Sequence, residues 1–145
     1  MDWVTLLFSA SGRINRAKYW IVHLIYVPFT AIAFLLLFSV RGNFPYFILG
    51  AVYLAFFYSM TVAAIKRLHD RDKSGWWILF FWIIPGILAG YRFLTAETMG
   101  SNIAWYIGLI ISLWFYVEVG CLPGTSGPNR FGPNPLDKSS IVLAA

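Results

Sequence analysis

The stretch Lys66-Arg67-Leu68-His69-Asp70-Arg71-Asp72-Lys73-Ser74-Gly75-Trp76-Trp77 decides how the chain is read. Seven ionisable residues fill the eight positions from Lys66 to Lys73, while the runs on either side are almost wholly apolar. Such a cluster is expected where a chain leaves a bilayer, turns at its surface and re-enters. The whole sequence agrees, with 59% hydrophobic and 12% charged residues against soluble averages of roughly 45–50% and 25%. A water-soluble domain of 145 residues could not hide that much apolar surface. Lipid can.

Outward from this centre, four runs have close to the ~20 residues needed to cross a hydrocarbon core. They predict an all-α integral membrane protein with four transmembrane helices, at about residues 17–40, 44–65, 76–94 and 102–122. Residues 1–135 form one four-helix membrane domain in this reading, and 136–145 a loose tail. Asn15 is placed to cap the first span, and Ser74 the third. Pro28 and Pro85 fall inside spans, where they predict bends. Arg41-Gly42-Asn43 reads as a tight turn, with Pro45 near the start of the second span. The segment Trp3–Phe8 is too short to cross and suits the interface. The run Tyr19–Val40 is too long for a signal-peptide core and reads as a retained span.

Lys and Arg orient the bundle. Nine of the eleven lie before the first span, in the central connection or in the tail; Arg41 and Arg92 fall on the other side. The positive-inside rule then puts both termini and the central connection in the cytoplasm. The net charge of +5 is attributed to orientation and to anionic headgroups, not to nucleic acid. Cys121 is alone, so no cysteine-cluster metal site or intrachain disulfide is available.

Three separated motifs carry a family resemblance. They are Gly12-Arg13-Ile14-Asn15-Arg16 with Tyr19-Trp20, Lys66-Arg67-Leu68-His69-Asp70 through Trp77, and Pro123-Gly124-Thr125 with Gly127-Pro128-Asn129-Arg130-Phe131-Gly132-Pro133 and Pro135. Together, from about Phe8 to Pro135, the chain resembles the bacterial inner-membrane family catalogued as domain of unknown function 805. Lys66 and Phe131 stand where that family more often has Arg and Tyr. The resemblance implies a small multi-spanning inner-membrane protein and brings no reaction, substrate or cofactor.

The topology brings all three motifs to the cytoplasmic face, where Arg13, Arg16, Arg67, His69, Arg71 and Arg130 become candidates for binding an anion, with Arg13, Arg67 and Arg130 converging on one phosphate. The bland alternative is that these residues only orient the chain. His69, Asp70 and Asp72 could in principle hold a divalent ion or run acid–base chemistry, but adjacent residues do not converge and match no metal motif. Asp70 is better explained by local pairing with Arg, and Asp72 with Ser74 by capping the third span. His23 and Glu118 lie inside spans near their cytoplasmic ends, and Glu118 is expected to meet Arg67, Lys66 or His23. The tail lacks the Lys-Ser/Thr ending of a phosphate loop and reads as turns, ordered only if it folds against the central connection.

The function expected from these features is a basic cytoplasmic face binding an anionic lipid headgroup or an acidic partner, without cofactor or metal. The alternatives are a small transporter or channel, and a membrane enzyme acting on a lipid phosphate through His69, Asp70 and Asp72.

Overall fold

The computed structural model describes residues 3–39, 43–95 and 97–137. Among the described residues five α-helices follow one another: α1 (Trp3–Phe8), α2 (Arg16–Ser39), α3 (Asn43–Asp70), α4 (Trp77–Leu94) and α5 (Met99–Tyr116). The last runs directly into a π turn, Val117–Cys121. Among the described residues the only β pairing is an isolated bridge between Asn129 and Gly132. The expected Arg41-Gly42 turn, and the tail from Lys138 onward, lie outside the described residues.

Three helical segments, Tyr46–Asp70, Trp77–Leu94 and Met99–Cys121, are long and apolar enough to cross a membrane. At 24 residues, α2 measures roughly 36 Å at 1.5 Å per residue. Both α2 and α4 continue through their prolines, Pro28 and Pro85. Asn15 caps α2, its Oδ1 accepting the Lys18 N–H at 3.0 Å. A reciprocal box of Thr98 and Ser101 starts α5, so the helix begins three residues ahead of the expected 102.

The main departure from expectation is at the end of α3. The charge cluster was expected to be a loop from Lys66, but helix continues to Asp70. Cations are favourable in a last helical turn, where the backbone dipole is negative, so ionisable composition alone does not end a helix. The stop comes from Asp72, which adopts φ +56°. The N–H groups of Asp72 and Lys73 turn back to the carbonyls of His69 (3.0 Å) and Leu68 (2.9 Å), the Schellman pattern normally completed by glycine. Asp72 therefore ends α3 instead of capping α4, and Ser74 makes only a 3.4 Å contact with the Trp76 N–H.

Packing divides the molecule into two hairpins, α2 with α3 and α4 with α5. Among the described residues they meet chiefly at one end, where the π turn touches α2 and α3 and the short connection joins α3 to α4. That end also holds much of the tightest core, including Ile14, Tyr19, Val22, Ala63, Leu68 and Val119. Along the spans large apolar side chains such as Leu24, Leu35, Phe47, Phe93 and Ile110 stay exposed, as a lipid-facing surface requires. The usual layout is inverted: charges lie inside the cap and hydrocarbon outside the spans.

Helix α1 lies against α3, and its terminal carbonyls are held by side chains of that helix. Lys66 Nζ donates to the carbonyl oxygens of Thr5 and Leu6, Ser59 Oγ to Leu7 O (2.9 Å) and Tyr58 Oη to Phe8 O (3.1 Å). Lys66 is fully buried, so Lys66→Met strips Leu6 O of its side-chain donor, leaves Thr5 O with the Ser9 N–H at 3.3 Å, and should cost about 2 kcal/mol. Hydrogen exchange should rise first at residues 3–9. Unchanged protection there would show that Lys66 does not anchor α1.

Candidate functional site

The cap is built from the ends of α2, α3 and the π turn, over which residues 122–136 fold back. At its centre stands Asp70, the last residue of α3. Arg13 approaches one oxygen with Nε (3.1 Å) and Nη2 (2.9 Å), and Arg67 approaches the other with Nη1. The two arginines do converge on an anion, and that anion is the protein's own carboxylate.

Their remaining donors are spent on backbone. Arg13 reaches the carbonyls of Thr125 (2.8 Å), Gly127 (2.9 Å) and Gly132 (3.2 Å), and so staples the tail to α3. Arg67 Nε takes Val119 O at 2.8 Å, and Nη2 takes Leu122 O. Trp20 Nε1 donates to Gly120 O (3.0 Å), Arg16 to Cys121 O (2.8 Å) and Arg71 to Pro123 O (2.8 Å). Five consecutive carbonyls, Val119 to Pro123, are thereby each met by a side-chain N–H. A helix end leaves such carbonyls without partners, and here the basic residues fill that need.

Two glycines are dictated by this closeness. A Cβ on Gly124 would overlap the Asp70 carboxylate, and one on Gly120 would sit 2.7 Å from the Trp20 ring.

Glu118 is buried and pairs through Oε1 with Arg71 (2.6 Å) and Lys73 (2.8 Å). The expected partners Arg67, Lys66 and His23 are not those observed. Arg67 is committed to Asp70, Val119 and Leu122, Lys66 serves α1, and His23 turns its Nδ1 to Tyr19 O at 3.0 Å. Arg71 and Lys73 lie beyond the end of α3, where the chain reverses and carries them over the π turn. Glu118 Oε2 and the Tyr19 hydroxyl are buried and have no hydrogen-bond partner among the described residues.

The tail closes over the end of α3. Thr125 N–H donates to Asp70 O (2.8 Å) and Asn129 Nδ2 to His69 O (2.9 Å). Phe131 stacks on His69 at 3.8 Å and 4°, and the Arg130 guanidinium lies 4.7 Å from the Phe131 ring centre. His69 Nδ1 faces Gly12 O at 3.1 Å. Arg130 pairs with Asp72, by Nε to Oδ1 (3.2 Å) and Nη2 to the backbone oxygen (2.8 Å). His69, Asp70 and Asp72 thus point at three different partners, and no group of three or more metal-ligating side chains occurs among the described residues.

Arg16 is the exception among the expected site residues at the α2 end. It is exposed, and with Asn15 and Ala17 it lines one wall of a groove of about 450 Å³. The opposite wall is the tail from Pro123 to Leu136, and Arg67 and Asp70 also line it. Trp20, Thr125 and Asn129 stand in the sequence motifs without an assigned role, because each role depends on which carbonyls end up beside it.

The chain matches the protein family of unknown function DUF805 over residues 7–133. It belongs to that family. Relatives in Escherichia coli strain K12 include the inner membrane protein YhaI, 34% identical over 86% of this chain and 84% of the relative. The inner membrane protein YhaH is 30% identical over 93% and 97%, and the uncharacterized protein YiiR 27% identical over 90% and 88%. No solved structure matches. With three membrane-capable helices, this DUF805 member is a multi-pass protein of the bacterial inner membrane.

The roles of the arginines in this cap separate by substitution. Arg67→Lys cannot serve Val119 O, Leu122 O and Asp70 at once, because an ammonium carries its donors on one nitrogen and cannot span acceptors that Nε, Nη1 and Nη2 reach separately. It should lower stability by about 3 kcal/mol, the scale for breaking a buried pair. Arg16→Lys, which touches one carbonyl, should keep a midpoint near wild type. Equal, small shifts in thermal unfolding for both would refute the carbonyl-capping role.

Proposed function

We propose that the chain crosses the inner membrane four times, with both termini and the central connection in the cytoplasm, and that its basic cap binds an anionic lipid headgroup. The starts of α2 and α4 and the ends of α3 and α5 meet in that cap. With nine of eleven basic residues on its side, the positive-inside rule assigns it to the cytoplasm. Asp70, Asp72 and Glu118 are each already matched by Lys or Arg, so the surplus of charge there is cationic.

The observation that carries the reading is the groove at the first turn of α2. A helix start offers N–H groups and a positive dipole to an anion, and the exposed Arg16 adds a guanidinium at the same wall. Arg130 and Lys73, more than a third exposed, and Lys18 extend the positive surface for headgroups nearby, each basic residue at a membrane surface contributing about 1 kcal/mol. An acidic protein segment is the competing occupant.

Reporter fusions after Asn43, Ser74, Thr98 and Ala145 should read outside, inside, outside and inside. An outside reading at Ser74 would overturn the topology. For the ligand, purified protein is equilibrated with mixed phosphatidylglycerol and phosphatidylcholine micelles and retained lipid is weighed by mass spectrometry. Wild type should enrich phosphatidylglycerol, and Arg16→Ala should reduce that enrichment about fivefold, with partial recovery in Arg16→Lys. If Arg16→Ala keeps both its fold and its full phosphatidylglycerol, the cations orient the chain and bind no lipid in the groove.

A further inference from the structure

The two hairpins are tied together at the cap, and between their spans they leave a cavity of about 400 Å³. All four long helices line it: His23 and Thr30 from α2, Phe57 and Met60 from α3, Trp82 from α4 and Ser112 from α5. Its volume falls within the ~300–1,000 Å³ of small-molecule sites. We propose that this cavity is a binding site for a hydrocarbon chain, filled by an acyl chain of a bilayer phospholipid.

The lining chemistry selects the occupant. Thr30 and Ser112 are the aliphatic hydroxyls present, and both are committed to their own helices. Thr30 Oγ1 donates to Val27 O and Ser112 Oγ to Gly108 O, each at 2.9 Å. His23 is buried, with Nδ1 against Tyr19 O. A buried water needs two to four polar partners, and the two aliphatic hydroxyls are already spent on backbone. Tyr53 and Tyr116 add phenol hydroxyls and Trp82 an indole N–H, while Phe57, Met60, Ala64, Phe81 and Phe115 present ring faces, a thioether and a methyl group, which favour methylene contacts.

The surroundings supply that same chemistry. Phe57, Tyr53 and Tyr116 line the cavity and are themselves about half exposed, so the cavity surface is continuous with the outer face of the spans. At that depth the solvent is lipid hydrocarbon. An empty gap there would forfeit the dispersion contacts of its walls, and a chain entering from the bilayer restores them. Phe57 and Trp82 form a ring contact at 4.5 Å and Phe81 and Phe115 one at 5.0 Å, so aromatic pairs bound the space on the α4 side. The inference rests on the membrane placement of the helices and is independent of the cap groove.

The test uses the full chain reconstituted in phosphatidylethanolamine and phosphatidylglycerol vesicles containing a small fraction of phosphatidylethanolamine with a diazirine midway along one acyl chain. After illumination, adducts are mapped by peptide mass spectrometry. Met60 and Ser112, which face inward, should be labelled as strongly as the outward-facing Leu109 and Leu113. Two cavity-filling variants, Ser112→Phe and Met60→Trp, should each lose the inward adducts and keep the outward ones. Labelling confined to Leu109 and Leu113 in wild type would overturn the proposal whatever the variants do. So would labelling of Ser112→Cys, made together with Cys121→Ser because Cys121 is exposed, by a membrane-impermeant thiol reagent, which would make the cavity an aqueous path. Loss of phosphatidylglycerol enrichment in Arg16→Ala leaves the inward adducts unchanged, which separates this site from the headgroup groove.

Discussion

A helix that stops at a membrane surface has to place its last carbonyls somewhere, and in this protein that requirement organises the cap. The π turn after α5 and the two residues beyond it present the oxygens of Val119 to Pro123 in succession, and Arg67, Trp20, Arg16 and Arg71 meet them. Each guanidinium is a planar fork with several fixed donors, so one side chain can bridge two or three acceptors on different segments. Asp70 balances the charge this gathers, holding Arg13 and Arg67 between its two oxygens. Remove the carboxylate and two buried cations lose their counter-ion; remove the cations and a row of carbonyls loses its donors. The same bonds fix the positions of α2, α3 and the tail.

This arrangement explains why a basic cap need not be a wholly ligand-binding one. Arg13 and Arg67 are buried and fully engaged, while Arg16 and Arg130 remain on the surface. Arg13 and Arg67 only build the cap, whereas Arg16 both meets a cap carbonyl and presents charge outward. Away from this end the two hairpins contribute little to each other. Their large exposed side chains are matched to lipid, so the hairpins depend on the cap below and on hydrocarbon around them.

Much of this was legible in the sequence, and the misses have physical reasons. Hydropathy located the apolar helices because twenty apolar residues in a row have few other uses. It misplaced the end of α3, because Lys66, Arg67 and Asp70 are as compatible with a last helical turn as with a loop. That shift of five residues reassigned Glu118 to Arg71 and Lys73. The π turn left no signal in composition, yet it aims the carbonyls that the arginines receive. The tail's fixed order of Gly, Pro, Asn and Thr pointed to folding against the central connection, and Thr125 and Asn129 do cap α3. Which carbonyl each would reach could not be read without the backbone path.

The sequence separation inside the cap has a consequence for how the protein is made. Arg13 bonds to the oxygens of Gly127 and Gly132, 114 and 119 residues further along. When α2 and α3 first emerge from the ribosome, Arg13 and Asp70 can find each other, but the tail acceptors do not yet exist. Residues 123–132 must be synthesised before the cap closes, and until then water or the insertion machinery has to solvate its charges. The last-made segment therefore acts as the closing stitch of a structure whose helices are already in the membrane. A chain cut short before it would still lack a finished cap.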